Sequence, residues 1–184
     1  MGIDSVNVRL SIASFHGCSS RQLRLFAVAC ADLVHANDTD IATAYADKRC
    51  SYEELVAANT RARHRFRRHR TAAFLAAWNV TDPDNWYAAS STFNSINSDS
   101  QLSHLRPTIE AICSDILHPL HLDTHNAVIR QITQDIYDRQ AWSEIGILAD
   151  ALEDNGCTDD MLLSHLRDPN QTHKRGCWAL ESCR

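Results

Sequence analysis

Residues 51–78 read SYEELVAANTRARHRFRRHRTAAFLAAW, and the class of the fold turns on them. Ser51 and Glu54 form a capping box, in which each side chain satisfies one orphan amide of a helix's first turn. Behind the box, Leu55, Ala58, Ala62, Phe66 and Ala73 recur at helical spacing. A single stripe with that period predicts one long amphipathic helix from Tyr52 to about Trp78. The same stretch is basic. Arg61, Arg63, Arg65, Arg67, Arg68 and Arg70 fall within ten residues. On a helical wheel Arg61, Arg65 and Arg68 gather on one side of the stripe and Arg63, Arg67 and Arg70 on the other. Their stems can cover apolar surface while their heads reach water.

Working outward, the same cap-and-stripe grammar repeats. Ser19 or Ser20 predicts a helix to about His35, with Leu23, Phe26, Ala27, Cys30 and Val34 inward. Asp38 predicts a short helix through Ala46. Asp82-Pro83 predicts another, with proline at the first helical position. Residues 90–103 are rich in serine and asparagine and read as a loop or frayed end. They are the expected place for an internal hinge, over 91–104. Pro107 starts a short helix to Ile116, and Asp123 or Thr124 caps one that buries Val128, Ile129, Ile132 and Ile136. Ser143 caps the next, with Ile145, Leu148, Ala149 and Leu152 inward and Gly156 as its stop. Thr158 caps a last short helix ending near Arg167, followed by a polar loop, Asp168–Lys174. Trp142 and Trp178 each lie beside an apolar stripe and are expected to be buried.

No segment alternates with period two. The expected fold is therefore all-α: a single helical domain over residues 1–184, of about seven to eight helices, with room for two lobes. Composition agrees, with 184 residues, 44% apolar and only five glycines and four prolines. The longest apolar run, Ala72–Trp78, is far below the roughly 20 residues of a membrane span. The first residues show no basic flank followed by an apolar stretch, so a secretory signal is not expected and the cytoplasm is. Seven cysteines, an odd number without any CxxC pair, fit reduced thiols or metal ligands better than a disulfide framework.

The order of pieces also resembles a known family. Its central signature resembles Arg21-Gln22-Leu23-Arg24-Leu25-Phe26-Ala27, then Tyr45-Ala46-Asp47 and Glu53-Glu54-Leu55. Its C-terminal signature resembles Ile136-Tyr137-Asp138-Arg139, Leu148-Ala149-Asp150-Ala151-Leu152-Glu153-Asp154, Gly156-Cys157, His165, Arg167, His173 and Arg175-Gly176-Cys177-Trp178. The chain is similar there to a large set of paralogous, uncharacterised bacterial proteins, especially abundant in planctomycetes. It departs from them at Leu166, where they often carry cysteine, around Ala29–Asp32, where only Cys30 remains, and at Glu181, near their aspartate. The resemblance implies a fold and a family, but no activity.

Two constellations carry chemistry. Cys157, His165, His173 and Cys177 offer two thiolates and two imidazoles, a donor set that suits one structural zinc. The plain alternative is core cysteines, a common fate of unpaired thiols, with histidines at helix ends. His118, His121 and His125 read as loop histidines, because Pro119 breaks any helix between them. The second constellation is the arginine rail. The chain carries a net charge of −5, and without the six arginines the remainder stands at −11. Such a rail can meet phosphates or carboxylates, including the acidic Asp150, Glu153, Asp154, Asp159 and Asp160. No GxSxG, P-loop, GxGxxG or HExxH pattern occurs. The function expected first is a non-enzymatic helical adaptor that binds another protein. A nucleic-acid-binding accessory protein using Arg61–Arg70 comes second. A metal-dependent hydrolase built on Cys157, His165, His173 and Cys177 comes third.

Overall fold

The computed structural model describes residues 18–97, 100–117, 126–171 and 173–184. All the regular structure among them is helical, as the sequence predicts. The chain divides into two compact units, Met1–Pro119 and Leu120–Arg184. The first holds α1 (Ser20–Asp32), α2 (Thr39–Ala46), α3 (Tyr52–His69), α4 (Ala72–Val80), α5 (Asn85–Asn97), a 3-10 turn (Ser100–Leu105) and α6 (Arg106–Ile116). The second holds α7 (Ala127–Arg139), a 3-10 turn (Trp142–Glu144), α8 (Ile145–Asp154), α9 (Asp160–Arg167) and α10 (Trp178–Ser182). No helix among the described residues is long and apolar enough to cross a membrane.

In the first unit α1 is the central element. Ser19 and Gln22 close a capping box, and nearly the whole circumference from Gln22 to Ala31 is buried. Its large side chains, Leu23 and Phe26, meet Phe93 and Ile96 of α5 and Ile109, Ile112 and Ile116 of α6. Its small ones, Ala27 and Ala31, face Ala76, Ala77, Val80 and Ala88, where absent bulk lets helices approach closely. Two polar side chains are buried with them. Gln22 donates from Nε2 to the Ile116 carbonyl at 3.0 Å. Arg24 reaches the turn between α4 and α5.

Several boundaries differ from the sequence reading, each for a local reason. The long helix expected from Ser51 is two helices. Arg70 adopts a left-handed conformation (φ 47°) and ends α3, and Thr71 accepts the Phe74 amide to cap α4. The chain folds back there, stacking Phe66 on Trp78 with ring centroids 5.7 Å apart. Asp38 stands at the α2 N-cap but makes no capping bond; its carboxylate is taken by Arg65. Asp84, not Asp82-Pro83, caps α5 by accepting the Tyr87 amide. The serine-rich stretch is helical on both sides of residues 98 and 99, which lie outside the described residues. Ser90 and Ser95 donate back to the carbonyls of Tyr87 and Thr92, so the hydroxyls are satisfied without breaking the helix.

In the second unit Asn126 caps α7, while Asp123 and Thr124 lie outside the described residues. Ile129, Thr133, Ile136 and Tyr137 form its buried face, and Val128, expected inside, is 60% exposed. Ser143 sits in the 3-10 turn and caps nothing. The inward face of α8 is the expected one, Ile145, Leu148, Ala149 and Leu152. Gly156 ends it with φ 86°, a conformation that glycine adopts without strain. Trp178 is buried in the core of this unit, whereas Trp142 is only partly covered, at its margin against Tyr137.

Candidate functional site

The second unit brings three of the sequence's candidate ligands together. Asp159, rather than Thr158, caps α9 by accepting the amides of Met161 and Leu162. Leu162, Leu163 and Leu166 then bury one face of α9 and set His165 at the edge of the core. After α9 the Asp168 carboxylate accepts the Asn170 amide, a tight local turn. The chain returns through His173 to Gly176, whose φ of 92° allows a second turn. The Gly176 amide donates to the Tyr137 hydroxyl at 2.6 Å, and that hydroxyl in turn donates to Glu181. Cys177, at the start of α10, is thereby held over His165. Its Sγ lies 3.2 Å from His165 Nε2 and 3.6 Å from His173 Nδ1. The donor atoms of the three residues all lie within 4.8 Å of one another. Cys177 is fully buried and His173 nearly so. Replacing Asp159 with alanine is expected to cost about 1 kcal/mol, the usual loss of an N-cap. Equilibrium urea unfolding checks it, and no shift in the midpoint would show that α9 is held by packing alone.

Cys157, the fourth expected ligand, is not in this group. The Gly156 turn carries it to the margin of the same hydrophobic core. There it faces Cys183, whose thiol pKa is pushed up to about 12, chiefly by burial and further by Cys157. Beside the three residues runs a groove of about 670 Å³, lined among others by Trp142, Ile145, Asp150, Arg167 and His173. Arg167 bridges Asp150 at 2.7 Å and Glu153 at 2.6 Å. The acidic face of α8, read from the sequence as a counterpart for the arginine rail, thus has a cation within its own unit. His118, His121 and His125 lie outside the described residues.

The rail itself is mostly exposed on α3. Arg65 pairs with Asp38, and the Arg63 guanidinium lies 5.8 Å from the centre of the Trp78 ring. Arg61, Arg67, Arg68 and Arg70 are exposed and make no ion pair among the described residues. Arg67 and Arg68 stand in the last turn of α3, where positive charge meets the negative end of the helix dipole favourably.

Several polar residues between Arg21 and Asp47 hold the first unit together. Arg21 bridges Asp47 at 2.5 Å. Arg24, fully buried, donates from Nη1 to the Val80 carbonyl at 2.7 Å, from Nη2 to the Pro83 carbonyl at 3.2 Å and from Nε to Asn85 Oδ1 at 3.0 Å. Its guanidinium also lies 5.5 Å from the centre of the Tyr45 ring. Comparison with family models, curated proteins and solved structures finds no match.

Proposed function

We propose that the chain is a helical interaction module whose α3 docks on an acidic surface of another protein. The observation that carries this reading is the exposed set Arg61, Arg67, Arg68 and Arg70, which has no ion-pair partner among the described residues of an otherwise acidic chain. A guanidinium fork matches a carboxylate in two parallel hydrogen bonds. The surrounding negative charge opposes a long polyanion more than a compact acidic patch, because it acts beyond the contact itself. Exposed ion pairs contribute only about 0.2–1 kcal/mol each. The rail would therefore set orientation and association rate more than affinity. Seven cysteines, an odd number without a CxxC pair, fit the reducing cytoplasm as the place where it works.

The test is fluorescence anisotropy with a labelled acidic peptide and a labelled DNA duplex of equal net charge, each at low and physiological salt. The peptide is expected to bind, and to weaken with salt. Changing Arg67, Arg68 and Arg70 together to glutamine is expected to weaken it roughly tenfold, which corresponds to about 1.4 kcal/mol over three exposed pairs. Arg65 is left intact because Asp38 needs it. Tighter binding of the duplex, lost in the same variant, would replace this reading with the nucleic-acid one. No binding of either would end both.

A further inference from the structure

We propose that His165 Nε2, His173 Nδ1 and Cys177 Sγ are three of the four ligands of a structural zinc ion, with a donor from outside this trio completing the tetrahedron. The first reason is distance. Zinc bonded at about 2.3 Å to sulfur and about 2.0–2.1 Å to nitrogen holds those donors about 3.5 Å apart at the tetrahedral angle. The two sulfur–nitrogen separations here, 3.2 and 3.6 Å, bracket that value. The His173–Cys177 pair already stands at that separation, and the His165–Cys177 pair is within a few tenths of an ångström of it.

The second reason is the chemistry of the donors. Two imidazoles and a thiol are a combination zinc accepts. Zinc takes a thiol as thiolate and an imidazole as a neutral ring, so loading the site competes with protons.

The third reason is position. Residues 168–176 leave α9 and return to α10 with little apolar anchorage, since Asp168, Pro169 and Asn170 are exposed and Gln171, Lys174 and Arg175 only half-buried. A zinc ion held by one ligand before this segment, one within it and one after it would staple it. Complete burial of Cys177 suits a structural rather than a catalytic ion. The groove that reaches His173 gives the ion a way in. Cys157, packed toward Cys183, is not a ligand.

The experiment uses the full chain, stripped of metal with a chelator and titrated with zinc and separately with cobalt(II). One equivalent of zinc is expected to bind, and to raise the thermal midpoint. Cobalt is expected to give a thiolate-to-metal charge-transfer band together with the intense visible absorption of a tetrahedral site. Because these are read on the unaltered chain, misfolding of a variant cannot mimic failure. Cys177→Ser is expected to lose the band, Cys177→Ser and His173→Ala are each expected to lose at least tenfold in zinc affinity, and Cys157→Ser keeps both band and affinity. Absence of a stoichiometric zinc site in the wild-type chain overturns the proposal. So does a cobalt band that survives Cys177→Ser or disappears in Cys157→Ser.

Discussion

Replacing Arg24 with methionine is expected to lower the stability of the first unit by about 3–5 kcal/mol, although the new side chain is apolar and comparable in length. The guanidinium is fully buried, and burial is the main force on its pKa, which falls to about 10. Tyr45, Asp82 and Asp84 oppose that fall. The group therefore stays charged at neutral pH, and its charge serves the turn between α4 and α5. Val80 is the last residue of α4, and the end of a helix leaves carbonyls without partners. Arg24 satisfies that of Val80, and those of Pro83 and the Asn85 side chain, from a helix far away in sequence. Methionine would leave the buried Val80 carbonyl without this donor, at about 1–3 kcal/mol, and would take a charged donor, whose bonds contribute more than neutral ones, from Pro83 and Asn85 as well. Lysine is expected to recover little, because one ammonium cannot span a fork's three partners. Urea unfolding with hydrogen exchange at the α4–α5 turn reads the result. A change below about 1 kcal/mol would mean that the turn finds other donors.

Cap-and-stripe reading located most of the helices because caps and periodicity are local. It failed where the decision was not local. At residues 69–72 nothing in His-Arg-Thr-Ala marks a break: no glycine or proline is present, and Thr71 lacks the glutamate that identifies a capping box. The break exists because the turn lets Phe66 stack on Trp78, a gain visible only after the chain has folded back. In α5 composition misled. Serine and asparagine suggest a loop, but Ala88, Ala89, Phe93 and Ile96 supply a buried face and the hydroxyls bond to their own helix.

The candidate ligands divide in the same way. His165, His173 and Cys177 could be named from residue type and spacing, since one short excursion separates them. Cys157 could not be excluded that way, because its place depends on how the chain leaves Gly156. Charge pairing was the least legible. Asp38–Arg65 and Arg167–Asp150 join residues 27 and 17 positions apart, and the wheel projection of α3 holds no information about either. What the wheel did convey was which arginines flank the stripe. The structure adds that Arg65 alone of the six forms an ion pair among the described residues, and that Arg63 lies against the Trp78 ring.

Trp178→Ala is expected to cost about 3–5 kcal/mol, as deletions of large buried aromatics do. The indole is 4% exposed, lies in the main core of the second unit, and its ring centroid is 5.0 Å from that of His165. Its backbone opens α10, and its carbonyl accepts the Ser182 hydroxyl at 2.8 Å. A unit as small as Leu120–Arg184 has little reserve, because a short chain buries a smaller fraction of its surface than a long one. A loss of this size is therefore expected to open α9, α10 and the segment between them before α1–α6. Hydrogen exchange by mass spectrometry would show it as lost protection over 160–182 with residues 20–97 unchanged. Trp178→Phe retains most of the apolar volume and is expected to cost less than half as much. Because Trp178 follows Cys177 directly and packs on His165, the alanine variant is also expected to loosen the three-residue cluster. Unchanged protection in Trp178→Ala would mean that the core formed by α7, α8 and α9 stands without α10. The cluster would then be held by the Tyr137 hydroxyl and the Gly176 turn alone.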